Sequence, residues 1–282
     1  MKEVSIYGQL ILSLLFIRWC IIFLKKFQII RIKADSPLTR LSALNSSRHI
    51  QFHYYLISSE PYNFLSYHNL YGFHHLHTEY SLLDGVGKID EYIKRAKELG
   101  MEAMAVTDHG NMFGAIEFYQ KALKKGIKPI IGMEAYIAET SMEEKSGKNF
   151  HLVLLAKNEI GYKNLMKLSS FGYREGFYHR PRIDRKVLSE HSEGIIALSA
   201  CMNGEIARKV WENKLVEAKE ILNFYKDLFG EDFYIEVQDN GISEQYELND
   251  KLYKLAKENE VEVVATCDTH YVYHGEHKLQ EI

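Results

Sequence analysis

Short apolar runs bounded by turn residues alternate with stretches of helical periodicity from residue 73 to the carboxyl end of the chain. Such alternation is typical of repeated strand-helix units, in which helices cover a largely parallel sheet. Helices are predicted at residues 88–99, 113–125, 161–171, 215–228 and 243–258. Strands are predicted at residues 72–77, 102–107, 129–137, 151–156, 194–199, 233–237 and 261–266. Seven strands suit a closed barrel better than an open sheet.

The first 71 residues differ in charge and composition from the rest of the 282-residue chain. Residues 1–72 hold eight Lys or Arg and three Asp or Glu, a net charge of +5, whereas residues 73–282 carry a net charge of −8. We therefore expect an atypical extension over residues 1–71 and a folded α/β domain over residues 72–282.

The extension contains an apolar stretch at residues 9–30, for which hydropathy alone predicts a transmembrane helix or signal anchor. Arg18 near its centre would cost about 2.5–3.5 kcal/mol on insertion scales. The residues that follow do not resemble a small-residue cleavage site, which argues against a cleaved secretory signal. The alternative, which we favour, is a non-native or mis-started extension without a fold of its own, so a membrane partner is not expected.

The negative net charge of the domain excludes nucleic-acid binding through bulk electrostatics, so such binding would need a local basic patch or bound metal. The three cysteines, Cys20, Cys201 and Cys267, are odd in number and lack the spacing of a disulfide framework. This cysteine usage indicates a reducing compartment and therefore a cytoplasmic protein.

Histidines and acidic residues recur at the ends of the predicted strands. His75 and His77 are alternate residues of the first strand, so their imidazoles share one face and can bind one metal ion. Functional residues of parallel barrels collect at the carboxyl ends of the strands. The further candidate ligands in or near strands are Asp84, Asp108, His109, Glu134, His151, Cys201, Asp268 and His270.

Each candidate also has an ordinary interpretation. Cys201 alone could be a buried thiol, Asp84 a turn residue, and Asp108 a residue that orients His109. His151 opens its predicted strand, so either that strand is antiparallel to its neighbours or the predicted boundary is wrong. Taken together, imidazole, carboxylate and thiolate donors suit two or three divalent ions, zinc above all, with manganese or magnesium as alternatives.

Six sequence blocks follow one another along the domain: His-x-His at 75–77, Tyr-Ser-Leu-Leu-Asp-Gly at 80–85, Thr-Asp-His-Gly-Asn-Met-Phe-Gly-Ala at 107–115, Lys-Pro-Ile-Ile-Gly-x-Glu at 128–134, His-Leu-Val-Leu-Leu-Ala-Lys-Asn at 151–158 and Gly-Phe-Tyr-x-x-Pro-Arg-Ile-Asp at 176–184. In order and spacing they resemble the amino-terminal PHP (polymerase and histidinol phosphatase) domain of bacterial DNA polymerase III alpha subunits. The resemblance runs from about residue 73 to residue 282, some three quarters of the chain.

The resemblance implies a distorted seven-stranded β/α barrel with a metal site at the carboxyl ends of its strands. It implies nine metal-binding positions, all occupied here by residues able to bind metal: His75, His77, Asp84, His109, Glu134, His151, Cys201, Asp268 and His270. A complete set is associated with metal-dependent 3′→5′ exonuclease (proofreading) activity, for which the expected catalytic residues are His75, His77, Asp108 and His109. The palm, fingers and clamp-binding regions of the family are missing, so an N-terminal fragment that cannot polymerise DNA alone is expected.

A cation-rich and aromatic segment at residues 173–186 favours a nucleic-acid substrate, because charges bind phosphates and rings stack on bases. Its candidate DNA-binding residues are Arg174, Tyr178, Arg180, Arg182, Arg185 and Lys186. The alternative is a solvated loop that packs against other polymerase domains. The expected partners are therefore the 3′ end of a DNA primer strand, the rest of the polymerase III alpha subunit and other replisome subunits.

Two other functions remain open at this point. One is a stand-alone small-molecule phosphatase of the histidinol-phosphate type, which would use the same metals on a phosphomonoester. The other is a non-catalytic domain that stabilises the polymerase and docks its partners. Metal content would separate the second from an enzyme, because a pure scaffold need not hold about three ions per chain.

Overall fold

A computed structural model describes residues 72–145 and 148–280. The strands are β1 (Gly72–Phe73), β2 (Ala103–Val106), β3 (Lys128–Ala138), β4 (Asn149–Ala156), β5 (Phe177–Tyr178), β6 (Arg180–Ile183), β7 (Ile195–Leu198), β8 (Phe233–Gln238) and β9 (Glu262–Thr266). The helices are α1 (Ile89–Glu98), α2 (Ala115–Lys124), α3 (Glu159–Arg174), α4 (Arg185–Glu190), α5 (Glu205–Trp211), α6 (Leu215–Phe229), α7 (Ser243–Glu258) and α8 (His277–Gln280). Single 3₁₀ turns occupy Gly230–Asp232 and His274–Glu276.

Seven strands form one curled sheet in the order β1-β2-β3-β4-β7-β8-β9. Its two edges meet beyond the ends of β1 and β9, where Leu76 and Thr269 form a parallel bridge. The His77 amide donates to the Thr269 carbonyl at 2.8 Å, and the Thr269 amide donates to the His75 carbonyl at 3.0 Å. The predicted α/β fold, a distorted seven-stranded barrel, is confirmed.

Strand β4 is the source of the distortion, because it runs antiparallel to both β3 and β7 while the other neighbours on the path are parallel. His151, near the amino end of β4, lies opposite Tyr136, near the carboxyl end of β3. Of the two explanations that the sequence left open for His151, the antiparallel strand is therefore correct. The reversal brings the start of β4 to the edge where neighbouring strands finish.

The helices exist because their apolar residues recur at helical spacing and face the sheet. Helix α1 buries Ile89, Tyr92, Ile93 and Ala96, at positions i, i+3, i+4 and i+7. Helices α1 and α2 pack on β2, whereas α3, α5, α6 and α7 cover β3, β4, β7, β8 and β9. A third cluster fills the barrel with side chains mostly from the strands themselves: Ala105, Val153, Leu155, Ile196, Leu198, Ala200, Tyr234 and Val264.

The remaining differences from prediction are local. The first strand was predicted over residues 72–77, but regular pairing covers Gly72–Phe73 alone, because the Leu76 amide then turns to the Thr107 side-chain oxygen at 2.8 Å. The short elements β5, β6, α4 and α5 were not predicted. Among the described helices, none has the length and apolar character needed to cross a membrane. The apolar stretch at residues 9–30 and the rest of the expected extension lie outside the described residues.

Candidate metal centre

Glu134 occupies the middle of the centre, in the carboxyl half of β3, with 1% of its surface exposed. Its Oε1 lies 3.2 Å from His75 Nε2 and 2.9 Å from His151 Nδ1. Its Oε2 lies 2.7 Å from His109 Nδ1 and 3.8 Å from His77 Nε2. One buried carboxylate therefore faces four imidazoles that three different segments contribute.

Asp268 closes the cluster from the end of β9. Its Oδ1 lies 3.4 Å from His75 Nε2, 3.3 Å from His77 Nε2 and 3.5 Å from His270 Nδ1. The backbone of Asp268 has a φ of 46°, and that of Ala200, beside Cys201, has a φ of 63°. Both values lie in the left-handed region that L-residues rarely adopt, and such strain concentrates at functional sites.

Asp84 reaches the cluster from the loop between β1 and α1. Its Oδ2 lies 3.1 Å from His109 Nε2 and 3.8 Å from His270 Nε2. Gly85 permits this approach, because a Cβ at this position would stand 1.9 Å from the Thr78 carbonyl oxygen. The side chain of Asp84 is 34% exposed, which makes it the most open of the acidic groups in the centre.

Cys201 and His151 face each other on the opposite side of Glu134. The Cys201 thiol lies 3.6 Å from His151 Nδ1 and 3.9 Å from Glu134 Oε1. The His151 amide donates to the Asn203 carbonyl at 3.0 Å, which fixes the start of β4 against the loop that carries Cys201. All nine ligand positions implied by the resemblance thus converge on one end of the barrel.

The donor atoms of the centre fit divalent metal ions. Three groups have ligand atoms within 4.8 Å of one another: His75 with His77 and Glu134, His109 with Glu134 and His151, and His77 with His109 and His270. Buried polar atoms ordinarily have hydrogen-bond partners, because an unpaired one costs free energy. Within the described structure, six buried atoms that could bind metal have no hydrogen-bond partner: His75 Nε2, His77 Nε2, His109 Nδ1, Asp84 Oδ1, Glu134 Oε2 and Asp268 Oδ1.

The charges around the cluster shift the pKa values of its histidines in different directions. Burial lowers the pKa of His75, but the carboxylates of Asp268, Glu236 and Glu134 outweigh it, so the pKa lies well above its usual value. Burial also lowers the pKa of His109, but the neighbouring carboxylates of Asp84 and Glu134 outweigh it and raise this pKa to about 10. Histidine binds metal as a neutral imidazole, so ion binding at His75 and His109 would release protons.

The other members shift in the directions that their surroundings dictate. Burial lowers the pKa of His77 to about 3, despite its contact with Asp268. Burial raises the pKa of the Cys201 thiol well above its usual value, with Glu134 adding to the effect. Burial disfavours the Glu134 carboxylate, yet His151 and His75 hold its pKa well below the ordinary range. Without an ion, the thiol of Cys201 therefore stays protonated and the Glu134 carboxylate stays charged.

Asp108, a candidate catalytic residue, lies behind the cluster rather than in it. Its Oδ1 accepts hydrogen bonds from the Thr78 amide at 2.7 Å and the Ser81 hydroxyl at 2.8 Å, and its Oδ2 accepts from the Thr78 hydroxyl at 2.9 Å. The Ser81 oxygen lies 3.0 Å from His77 Nδ1. The Ser81 oxygen also accepts a hydrogen bond from the His109 amide at 3.2 Å. Asp108 therefore reaches the centre through Ser81, which contacts both His77 and His109.

Glu236 is a neighbour of the centre that the sequence reasoning missed. Its Oε1 lies 2.7 Å from His75 Nδ1 and accepts hydrogen bonds from the Gln238 amide group at 2.8 Å and from the Thr266 hydroxyl. Because Glu236 engages Nδ1, the other ring nitrogen of His75 points into the cluster, an arrangement that fixes ligand histidines in metal sites. A signal was available: Tyr234, Glu236 and Gln238 alternate as polar or amphipathic residues within a buried strand.

Tyr136 is the second missed residue, two positions after Glu134 on the same face of β3. Its ring lies 5.7 Å from that of His109 and 5.2 Å from that of His151. Arg180, a candidate DNA-binding residue, stacks over this ring at 5.3 Å and donates a hydrogen bond to the Tyr136 hydroxyl at 3.2 Å. Arg180 thus stands beside the centre.

The other candidate DNA-binding residues lie in unlike environments. Arg182 is buried, and its guanidinium donates to backbone carbonyls at 3.0 to 3.2 Å, so it is not available to a ligand as the sequence suggested. Arg185 pairs with Glu205 at 2.6 Å. Arg174 and Lys186 are exposed, and Tyr178 is half-buried beneath the Arg182 guanidinium.

Comparisons with known proteins agree with the resemblance. The family model of the PHP domain matches residues 74–240. The chain is 50% identical over 213 residues to DNA polymerase III subunit alpha of Borreliella burgdorferi, a match that covers 74% of the chain and 19% of that relative. The corresponding Helicobacter pylori subunit (strain 26695) is 50% identical over 220 residues, covering 74% and 18%. Among solved structures, an amidohydrolase from Chromobacterium violaceum aligns at TM-score 0.43 with 17% identity, over 71% of this chain and 87% of that one.

Proposed function

Because the chain belongs to the PHP domain family, we propose that its histidine and carboxylate cluster hydrolyses phosphodiester bonds at the 3′ end of DNA. The proposed activity is a 3′→5′ exonuclease within the amino-terminal region of a cytoplasmic replicative DNA polymerase. The observation that carries the proposal is the meeting of all nine expected ligands at one end of the barrel, with six buried donor atoms that lack hydrogen-bond partners.

Glu134 would help to hold more than one ion in this proposal, because it belongs to two of the three ligand groups. His75 and His77 share the first group with it, and His109 and His151 share the second. When bound, two or three divalent ions, zinc above all, would polarise the phosphate and lower the pKa of a water nucleophile.

The protein's own contribution is the orientation of the ligands. Glu236 holds His75 through Nδ1, and Ser81 holds His77 through Nδ1, so both rings offer Nε2 to the cluster. Asp108 acts as a positioning residue, because it anchors Ser81. Arg180 is the cation best placed to bind the phosphodiester, since it lies over the ring of Tyr136 at the rim of the centre.

The partners follow from the relatives. The chain spans about a fifth of the length of the DNA polymerase III alpha subunits it matches. The proposed partners are therefore a DNA primer strand, the remaining domains of an alpha subunit, and the other subunits of a replisome.

The test is an exonuclease assay with the full chain. Protein stripped by chelation is reloaded with Zn²⁺, Mn²⁺ or Mg²⁺ and incubated with a 5′-labelled single-stranded oligonucleotide, which reports stepwise shortening from the 3′ end. The reloaded wild type should shorten the oligonucleotide, and the His75→Ala/His77→Ala variant should lose at least about a thousandfold in rate, because both histidines belong to the same ligand group.

A control is Trp211→Ala, which removes an exposed ring that lies under the Lys251 ammonium, outside the cluster. This variant should retain wild-type activity. Equal rates in wild type and the His75→Ala/His77→Ala variant would refute the proposal. So would turnover of histidinol phosphate with no shortening of DNA, which would favour the small-molecule phosphatase instead.

A further inference from the structure

Three exposed aromatic side chains form a row near the centre, here called the aromatic row: Phe113, Tyr173 and Phe177. The ring centroids of Phe113 and Tyr173 are 5.6 Å apart, and those of Tyr173 and Phe177 are 6.2 Å apart. The three residues are 56%, 39% and 55% exposed, respectively. Large apolar groups that stay in water as a contiguous patch mark a binding surface.

One end of the aromatic row is fixed to the metal centre through Asn111. The Asn111 side chain donates to the His109 carbonyl at 2.9 Å and to the Tyr80 carbonyl at 3.0 Å, and it accepts from the Phe113 amide at 3.0 Å. Phe113 is four positions after His109, so their Cα atoms are at most about 14 Å apart. The row therefore starts within a few nucleotides' reach of the cluster.

The other end of the aromatic row returns to the centre through a hairpin. Phe177 belongs to β5, which pairs with β6. Arg180 at the start of β6 lies over the ring of Tyr136, which in turn stacks near His109. Aromatic rings and a cation thus line one side of the approach to the cluster.

The charges near the row suit a phosphate backbone. Arg174 follows Tyr173 directly and is exposed at the end of α3. A cavity of about 520 Å³ along the same helix is lined by the cations Lys163, Lys167 and Arg174, together with His191, Phe171, Met166 and Ser170. Glu175, which is also exposed, is the one acidic residue among residues 160–177. Cations beside stacked rings are the combination that binds single-stranded nucleic acid.

We propose that the aromatic row is a stacking platform for unpaired bases of single-stranded DNA whose 3′ end enters the metal centre. Only the direction of the strand rests on the proposed exonuclease function. Each ring would stack on a base regardless of its identity, because every base has a π-face. The platform adds Phe113, Tyr173 and Phe177 to the residues that hold the substrate and makes unpaired DNA the preferred ligand.

The test separates binding from cleavage. Fluorescence anisotropy of labelled (dT)12 is measured with the full chain kept metal-free by chelation, for wild type and for Phe113→Ala, Tyr173→Ala and Phe177→Ala. Each substitution should weaken binding about ten- to hundredfold, and wild type should bind an abasic 12-mer correspondingly less well than (dT)12. Phe113→Trp should bind (dT)12 about as tightly as wild type, because it keeps an aromatic ring at this position.

Trp211→Ala is the matched control, since Trp211 is 41% exposed on α5 and lies under the Lys251 ammonium, outside the row. It should bind (dT)12 like wild type. Equal affinity in wild type and the three row variants would overturn the proposal. Failure of wild type to bind (dT)12 would overturn it as well. Row-dependent binding without cleavage by the reloaded protein would leave the platform standing and refute the exonuclease alone.

Discussion

Strand β6 sets Arg182 beside Tyr136 of β3, only two residues from Glu134, and so brings two buried polar clusters close together. Around Arg182 the hydrogen bonds are formed: its guanidinium donates to the carbonyls of Gly176, Met142 and Glu144. In the candidate metal centre, by contrast, Glu134 Oε2 and the Nε2 atoms of His75 and His77 are buried without a hydrogen-bond partner.

The difference separates a structural cluster from a binding cluster. A buried charge whose hydrogen bonds are complete gains little from a further ligand, whereas unpaired buried donors carry a free-energy cost that a bound ion would remove. Sequence composition does not distinguish the two, because Arg182 and Arg180 stand in the same short motif. Three predictions test the distinction, from the largest expected effect to the smallest.

Glu134→Gln should remove most of the stabilisation that metal gives. Wild type at an ion concentration one thousand times the Kd should unfold with a free energy about 4 kcal/mol higher than after chelation. The variant should show little of this difference, because it neutralises the carboxylate shared by two ligand groups. Urea denaturation with and without chelator, together with metal content by mass spectrometry, measures both quantities. If chelation destabilised the variant as much as it destabilises wild type, Glu134 would not be a metal ligand.

Arg182→Ala should destabilise the fold by about 3 kcal/mol, because three backbone carbonyls lose their donor in a buried site. Its metal content should not change, since the cluster around Arg182 is separate from the ligands. Arg174→Ala, at an exposed position, should stay within about 0.5 kcal/mol of wild type. Urea denaturation of wild type and both variants gives the comparison. If Arg182→Ala lost metal but kept its stability, metal binding would depend on Arg182 and the two clusters would not be separate.

His74 offers the smallest effect, because the expected change comes from the burial of a single imidazole. Burial lowers the pKa of His74 from its ordinary 6.5 to about 4. The unfolded chain therefore binds the extra proton first, so stability falls as pH drops from 6.5 towards 4, by about 1.4 kcal/mol at pH 5.5. His74→Leu should lose this part of the acid sensitivity. Denaturation of metal-free proteins at pH 5.5 and 7.5 tests it, and equal losses in both proteins would contradict it.

The sequence predicted the long elements well because their periodicity records burial. Helix α7 begins and ends at the predicted residues, 243 and 258, since its buried side chains recur at helical spacing. The strands β5 and β6 escaped prediction because two to four residues carry too little periodicity. The pairing of β5 with β6, and of β6 with β3, is a tertiary effect.

The candidate site was predictable where a residue stood at a strand end, as for His109 and Asp268. It was not where the role depends on packing. Glu236 resembles any charge in a strand until its contact with His75 is seen, at 2.7 Å. Arg182 and Arg180 differ in that one points inward and the other reaches Tyr136, which no residue pattern reveals.

The bridge between Leu76 and Thr269 has a consequence for the order of events during folding. Ligands of the centre come from both ends of the barrel sequence, and the contact of His75 with Glu236 spans 161 residues. Contacts this distant form late, whereas the β3–β4 hairpin can form early. On a ribosome that adds about 5–20 residues per second, His75 would wait on the order of ten seconds or more for Asp268. The centre would therefore be completed late in folding, and a metal ion that needs all of these ligands would bind to a nearly finished barrel.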